Sequence, residues 1–133
     1  MLITLGFYKR KPGLTLEQFQ KHWREIHGPL IAQNPEFSKY FIRYVQHHCV
    51  PSSGWPSPVG DLDYDGFSES WFPSLEARME LHALPSFREQ LIPDEEMFLD
   101  MKATRILMFD SQVVQIGKDH SAEWAATNNW KPA

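Results

Sequence analysis

The stretch "LTLEQFQKHWREIHGPL", residues 14 to 30, is where the fold can first be read. Thr15 stands three residues before Gln18, the spacing of a capping box. In that motif the threonine hydroxyl accepts from the third helical residue, whose own side chain returns to the cap backbone. Leu14 and Phe19 occupy the staple positions on either side, so a helix is predicted to start at Thr15. Leu16, Phe19, Trp23 and Ile26 then recur at helical spacing as a buried stripe. Gly28-Pro29 is expected to stop the helix, because a residue before proline avoids the α region. His27 therefore falls in the last turn.

Upstream, "LITLGFY" (2 to 8) is short, apolar and partly β-branched, and it ends at the charged "KRKPG"; it reads as a strand and a turn. Downstream, "FSKYFIRYVQHHCV" (37 to 50) alternates like a long strand, with Tyr40, Ile42, Tyr44, Gln46 and His48 on one face. A Pro/Ser/Gly loop follows, "PSSGWPSPVGDLD" (51 to 63), of a length that usually carries function. "GFSESWF" (66 to 72) is a third strand, and "PSLEARMELHAL" (73 to 84) a helix capped by Ser74. "SFREQLIPDEEMFLDM" (86 to 101) is helical in two pieces divided at Pro93, and "TRILMFDSQVVQI" (104 to 116) is the last strand. The polar tail, residues 117 to 133, carries two tryptophans and is read either as an arm packing on a partner subunit or as a loose end.

The order β-α-β-β-α-β is that of the ferredoxin-like split βαβ, an α+β antiparallel sheet with its helices on one face. The first strand is apolar on both sides, with Ile3, Leu5 and Phe7 against Leu2 and Tyr8. The last is too, with Ile106 and Met108 against Leu107 and Phe109. One chain's helices can cover only one face, so a second subunit is expected on the other.

At 133 residues the chain has room for one core, read as a single domain over 1 to 116 followed by the tail. Its net charge of -4 comes without a basic stripe, which argues against nucleic acid. No basic n-region precedes the first apolar run and no segment is long enough to span a bilayer, so a cytoplasmic protein with no membrane partner is expected. One cysteine, Cys49, rules out an internal disulfide. An aromatic share of 14%, with five tryptophans, suits either a pocket for a flat apolar ligand or an aromatic core and interface.

"DLDYDG", residues 61 to 66, imitates the start of a calcium loop but places Phe72 where a bidentate glutamate is needed; its aspartates are read as turn caps. On a regular helix a five-residue step turns His22 about 140° away from His27. His47 and His48, adjacent on a strand, point to opposite faces. No pair has metal-ligand spacing, and nucleotide loops are absent, so neither metal nor cofactor is expected. His22, among charged neighbours, is assigned to solvent. His27 borders the apolar stripe at a helix end, where it is either a capping residue or an acid-base group. Glu69, between Phe67 and Trp71 on one strand face, is either a carboxylate shifted by aromatic neighbours or an exposed one. Ser70 faces the other way.

"YKRKPGLTLEQFQKHWREIHGPL", "RYVQHH", "YDGFSESWF" and "PDEEMFLD" together resemble the EthD family of dimeric α+β barrel proteins, over about residues 3 to 115. The family includes proteins of ether-degradation operons, polyketide cyclases and dehydratases, and a methylmuconolactone isomerase. The wider superfamily adds cofactor-independent oxygenases and haem enzymes. The resemblance implies a sheet-to-sheet homodimer and a ligand cavity between sheet and helices. It matches His27 to the histidine before Pro-Leu, Tyr40 to a pocket tyrosine of isomerase-like members, and His48 to the end of the R-Y-x-Q-x-H run of dehydratase-like ones. Ser70 stands where the isomerase-like members carry a cysteine, so thiol chemistry is not implied.

These readings lead to a cofactor-independent lyase, cyclase or isomerase that moves protons on a small oxygenated cyclic or aromatic metabolite. His27, His48, Tyr40 and Glu69 are its candidate catalytic residues, and Phe7, Tyr44, Gln46, Ser70 and Trp71 its candidate substrate contacts. The alternative is a non-catalytic accessory protein that binds a hydrophobic intermediate for an oxygenase system. Convergence of acid-base groups inside one cavity would separate the two.

Overall fold

The computed structural model describes residues 1–51, 54 and 60–119. Strand β1 (Leu2–Tyr8) runs into a turn at Gly13 and then into helix α1 (Leu16–His22). The capping box forms as expected: the Gln18 amide donates to Thr15 Oγ1 at 3.1 Å, and Gln18 Oε1 accepts from the Thr15 amide at 2.9 Å.

Beyond His22 the helix departs from a regular period. Trp23–His27 is a π-turn, with the Gly28 amide donating to the Trp23 carbonyl five residues back, and the helical path continues as α2 (Gly28–Ala32). Gly28-Pro29 therefore does not end the helix. Proline has no N–H to place, and the widened turn ahead of it already shifts the hydrogen-bond register by one residue. That shift also changes which residue faces inward: His27 is 1% exposed, whereas Ile26, counted in the buried stripe, is 52% exposed. The same device recurs in the second half. Helix α4 (Leu75–Ala83), capped by Ser74 Oγ on the Ala77 amide, leads to a π-turn over Phe87–Leu91 and then to α5 (Ile92–Phe98), with Pro93 near its start. The division of this segment falls at the π-turn, one residue before that proline's neighbour Ile92.

The expected long strand over 37 to 50 is shorter than its alternation suggested. Pro35–Ser38 forms a helical turn, α3, capped by Asn34, whose side chain accepts from the Glu36 amide at 3.1 Å. Strand β2 spans only Arg43–His48. Strand β3 (Gly66–Phe72) is as expected, but β4 (Arg105–Phe109) stops well short of residue 116. Among the described residues the four strands form one antiparallel sheet in the order β2-β3-β1-β4, the ferredoxin-like arrangement. No described helix is long and apolar enough to cross a membrane. The loop residues 52, 53 and 55–59, and the tail from 120 onward, lie outside the described residues.

Strand pairing sorts the side chains into two faces. Thr4, Gly6 and Tyr8 share the helix-covered face with Ser68, Ser70, Tyr44, Gln46 and Ile106; Phe7, Glu69, Trp71, Val45, His47 and Leu107 share the other. Under the helices lie two apolar clusters. One, around Phe37, Tyr40, Phe72 and Leu81, is crossed by α4; the other joins Phe19, Trp23 and Phe98, each 0% exposed. Burying each such ring is worth about 1.5–3 kcal/mol, enough to hold the π-turns at fixed positions over the sheet.

Candidate functional site

Between the clusters the sheet and helices leave a cavity of about 360 Å3, within the size range of small-molecule sites. Its floor is made by the small residues of the helix-covered face. Gly6 is one of them, and a side chain there would put a Cβ 2.7 Å from Ser68 Oγ and 2.8 Å from the Tyr8 ring, so glycine is what lets Tyr8 lie along the floor. The roof comes from α4, α5 and the two π-turns.

His27 lines this cavity, and its Nδ1 lies 2.8 Å from Asp94 Oδ2. His22 is not in solvent. Its Nε2 lies 2.9 Å from the other oxygen, Asp94 Oδ1, and its ring stacks on Phe98 at 4.8 Å. Two histidines five residues apart can share one carboxylate only because the π-turn between them adds the residue that brings them to one side. Asp94 itself is 8% exposed. Burial works to raise its pKa, but the hydrogen bonds to His27 and His22 outweigh that and hold it below the ordinary carboxylate value. An ionised Asp94 accepts, so both rings donate to it. For His27 this assigns the proton to Nδ1 and leaves Nε2 as the basic nitrogen.

Glu95 follows Asp94 and also lines the cavity. Burial, reinforced by the neighbouring carboxylates of Asp94 and Glu96, pushes its carboxyl up to about 7. Two adjacent acids thus have opposite character: one stays ionised under two imidazoles, and the other is poised to hold or release a proton near neutral pH. Tyr8 and Tyr44 sit within the field of Glu95. Tyr44 is held up at about 12, chiefly by burial, and burial raises Tyr8 as well, so both remain phenols and act as donors rather than bases. Gln46 sets the direction of Tyr44. Its Nε2 donates to the Trp23 carbonyl at 2.8 Å and to Tyr44 Oη at 3.2 Å, and its Oε1 faces His48 Nε2 at 2.9 Å. With its oxygen accepting from Gln46, Tyr44 has its own proton free for a ligand. Gly28 permits this bridge, since a Cβ there would lie 2.7 Å from Gln46 Nε2.

The residues singled out from the sequence are not brought together as one group. His27, Tyr44 and Ser70 line the cavity. Gln46 touches it only through Tyr44. His48 packs on Trp23 at 4.5 Å and borders a separate depression with Lys9 and Cys49, and burial lowers its pKa. Tyr40, 4% exposed, is in the core cluster with Phe37 and Leu81, because residues 35 to 38 turn helically and take it out of the strand alternation. Glu69, Phe7 and Trp71 lie on the opposite sheet face, as strand alternation requires of residues next to Ser70, Gly6 and Tyr8 or Phe72. There Glu69 accepts from Trp71 Nε1 at 2.6 Å and meets His47 at 3.2 Å. In the "DLDYDG" segment, Asp63 pairs with Lys9 at 2.6 Å and Asp65 accepts from the Arg10 amide at 2.8 Å, so these two aspartates tie the segment to the chain just after β1, more than fifty residues away, instead of capping their own turn.

Asp94, Glu95, Tyr8 and Arg78 were not singled out. "PDEE" after a proline reads as the solvated acidic first turn of a helix, and only its placement against His22 and His27 gives it another meaning.

Residues 11–102 match the EthD domain. The dehydratase ustZ of Ustilaginoidea virens is 31% identical over 114 residues, covering 78% of this chain and 77% of that protein. The decarboxylase claH of Passalora fulva is 28% identical over 129 residues, covering 86% and 81%. Among solved structures, an EthD family protein of Bacillus halodurans superposes with a TM-score of 0.60 at 16% identity, covering 84% of this chain and 100% of that one, a likeness of fold. The relatives support a small-molecule-processing enzyme.

Proposed function

The chain belongs to the EthD family, and on that premise we propose that it is a proton-transfer lyase acting on a small oxygenated cyclic or aromatic compound without an organic cofactor. The observation that carries this is the pairing, in one cavity, of His27 held by Asp94 at 2.8 Å with Glu95, whose carboxyl is pushed up to about 7. Elimination of water next to a carbonyl needs a base for the C–H proton and an acid for the departing hydroxyl. His27 Nε2 takes the proton, Tyr44 donates to the enolate oxygen, and Glu95 protonates the hydroxyl as the C–O bond breaks, releasing water. Passage of the proton from His27 to the Glu95 carboxylate restores both groups. Asp94 positions the imidazole and stabilises it when charged, the part an aspartate plays in hydrolase triads. The apolar walls strengthen each of these interactions by excluding water.

The convergence of His27, Asp94 and Glu95 favours this reading over the accessory binding protein, which would need the cavity but not the acid and base. The test is a mass-spectrometric screen of β-hydroxy carbonyl compounds for loss of water. Wild-type protein should convert at least one, and His27→Gln should slow it by roughly 10²- to 10⁴-fold. Saturable binding without conversion would return the accessory protein to first place.

The proposal extends to assembly. Residues 1 to 116 are taken as the EthD-like unit, forming a homodimer through the helix-free sheet face. Leu107, 54% exposed, and its neighbours Leu5 and Val45 on that face support it. Light scattering reads the outcome: twice 15.5 kDa is expected, and Leu107→Glu should shift the protein toward monomer.

A further inference from the structure

The cavity has a second polar region, away from His27. Arg78, on α4, lines it, and its Nε donates to Thr4 Oγ1 at 3.1 Å. Thr4 is paired with Ser70 across β1 and β3, and both hydroxyl-bearing residues line the cavity beside the arginine. Arg78 is half-buried, and burial alone lowers its pKa; among the described residues no carboxylate pairs with it. A cation removed from water without a counter-ion is costly, and proteins seldom keep one unless something supplies the charge. The Thr4 bond uses only Nε. The terminal nitrogens, whose fork matches a carboxylate, are left for a partner. Thr4 lies four residues along β1 from Tyr8, roughly 13 Å at ~3.3 Å per residue; Ile106, paired with Gly6, lines the cavity midway, and Phe72, Leu81 and Phe87 add to its apolar lining.

From this arrangement we infer that Arg78, with Thr4 and Ser70, is a carboxylate anchor, and that the substrate is an aromatic or cyclic acid whose reacting carbon lies toward His27 and Glu95. The inference rests on reading the cavity as the active site. It names the class of substrate within that reading: the acid group is held at the sheet's Thr4 end, the ring occupies the apolar middle, and the oxygenated carbon meets the imidazole.

The anchor can be tested by binding alone, so it can fail while the His27 chemistry stands, and the reverse. The probes are 2-naphthoate and its neutral isostere 2-naphthamide, titrated into the full-length protein by calorimetry at low salt. Wild-type protein should bind the acid at least about tenfold more tightly than the amide. Arg78→Met should remove that preference while leaving the amide's affinity within about twofold, and Arg78→Lys should keep part of it. Thr4→Val, which releases Nε while leaving the charge, should weaken the acid several-fold and spare the amide, and it serves if Arg78→Met does not fold. Equal affinity for the two probes, no saturable binding of 2-naphthoate, or a preference that survives Arg78→Met would each overturn the anchor.

Discussion

Replacing Glu95 with glutamine should make the protein more stable and less active, with the stability gain confined to neutral and alkaline pH. Burial holds the carboxyl at about 7 in the folded chain against its ordinary value of 4.5. For an acid raised on folding, the native state binds more protons than the unfolded one between those values, so stability falls as pH rises through the window. Below pH 4.5 both states are protonated and Glu95 has no effect. Above pH 7 both are ionised and the folded state carries the whole penalty. The interval converts at ~1.36 kcal/mol per pH unit to about 3 kcal/mol, and screening by water entering the cavity reduces this to about 1–3 kcal/mol. Glutamine keeps the shape and removes the charge. Urea unfolding of wild type and Glu95→Gln at pH 4 and pH 8 reads the difference directly, since other groups titrate alike in both proteins. The variant should match wild type within about 0.5 kcal/mol at pH 4 and exceed it by about 1–3 kcal/mol at pH 8. Equal stability at pH 8, or a gain of the same size at both pH values, would refute the account of Glu95 as a strained acid.

Asp94→Asn keeps the volume but can accept from only one of its two imidazoles, so one ring must turn to its other tautomer and His27 loses the carboxylate charge beside it. Turnover should fall about 10²- to 10⁴-fold, and long-range ¹H–¹⁵N correlation should show the proton leaving His27 Nδ1 or His22 Nε2; both tautomers unaltered with turnover kept would discard the positioning role. Tyr44→Phe removes a donor aimed at the ligand and should lower turnover about tenfold while thermal melts change little, whereas equal turnover would remove Tyr44 from the site. Gly28→Ala would ordinarily gain up to ~1 kcal/mol of helix propensity, yet the Cβ, 2.7 Å from Gln46 Nε2, displaces the amide from Trp23 and Tyr44. A net loss of about 1 kcal/mol is expected, and a gain would show the Gln46 bridge to be dispensable.

Much of the sheet was legible because β1 and β3 obey simple alternation and because the Thr15 and Ser74 caps follow local rules that tertiary contacts did not disturb. In the first helix, one residue of register is what the reading missed. A 3.6-residue period carried past Trp23 puts Ile26 inward and His27 at a helix end, and the π-turn reverses both; His22, read as solvated from its charged neighbours, is held by Asp94 instead. Nothing in "WREIH" announces that turn, although the proline two residues after it, repeated at Pro93 after the second π-turn, is a consistent companion. At Asn34-Pro35 a signal was present and outweighed: a capping residue followed by proline starts the helical turn that removes Tyr40 from the strand. The site itself is a pairing of elements far apart in the chain. His27 could be picked out as a border residue, but Asp94 and Glu95 become meaningful only when α5 is laid against the first π-turn, a contact that no local pattern specifies.

The central claim is that His27 removes a proton from carbon, and it can be measured without knowing the natural substrate. 2-Tetralone in D2O exchanges its acidic α-protons slowly, and ¹H NMR follows their loss. Wild-type protein should accelerate this exchange in a saturable manner, and His27→Gln should lose that acceleration by roughly 10²-fold or more while retaining the wild-type fold. Exchange in His27→Gln at the wild-type rate, or no acceleration by wild type under saturating ligand, would contradict the account.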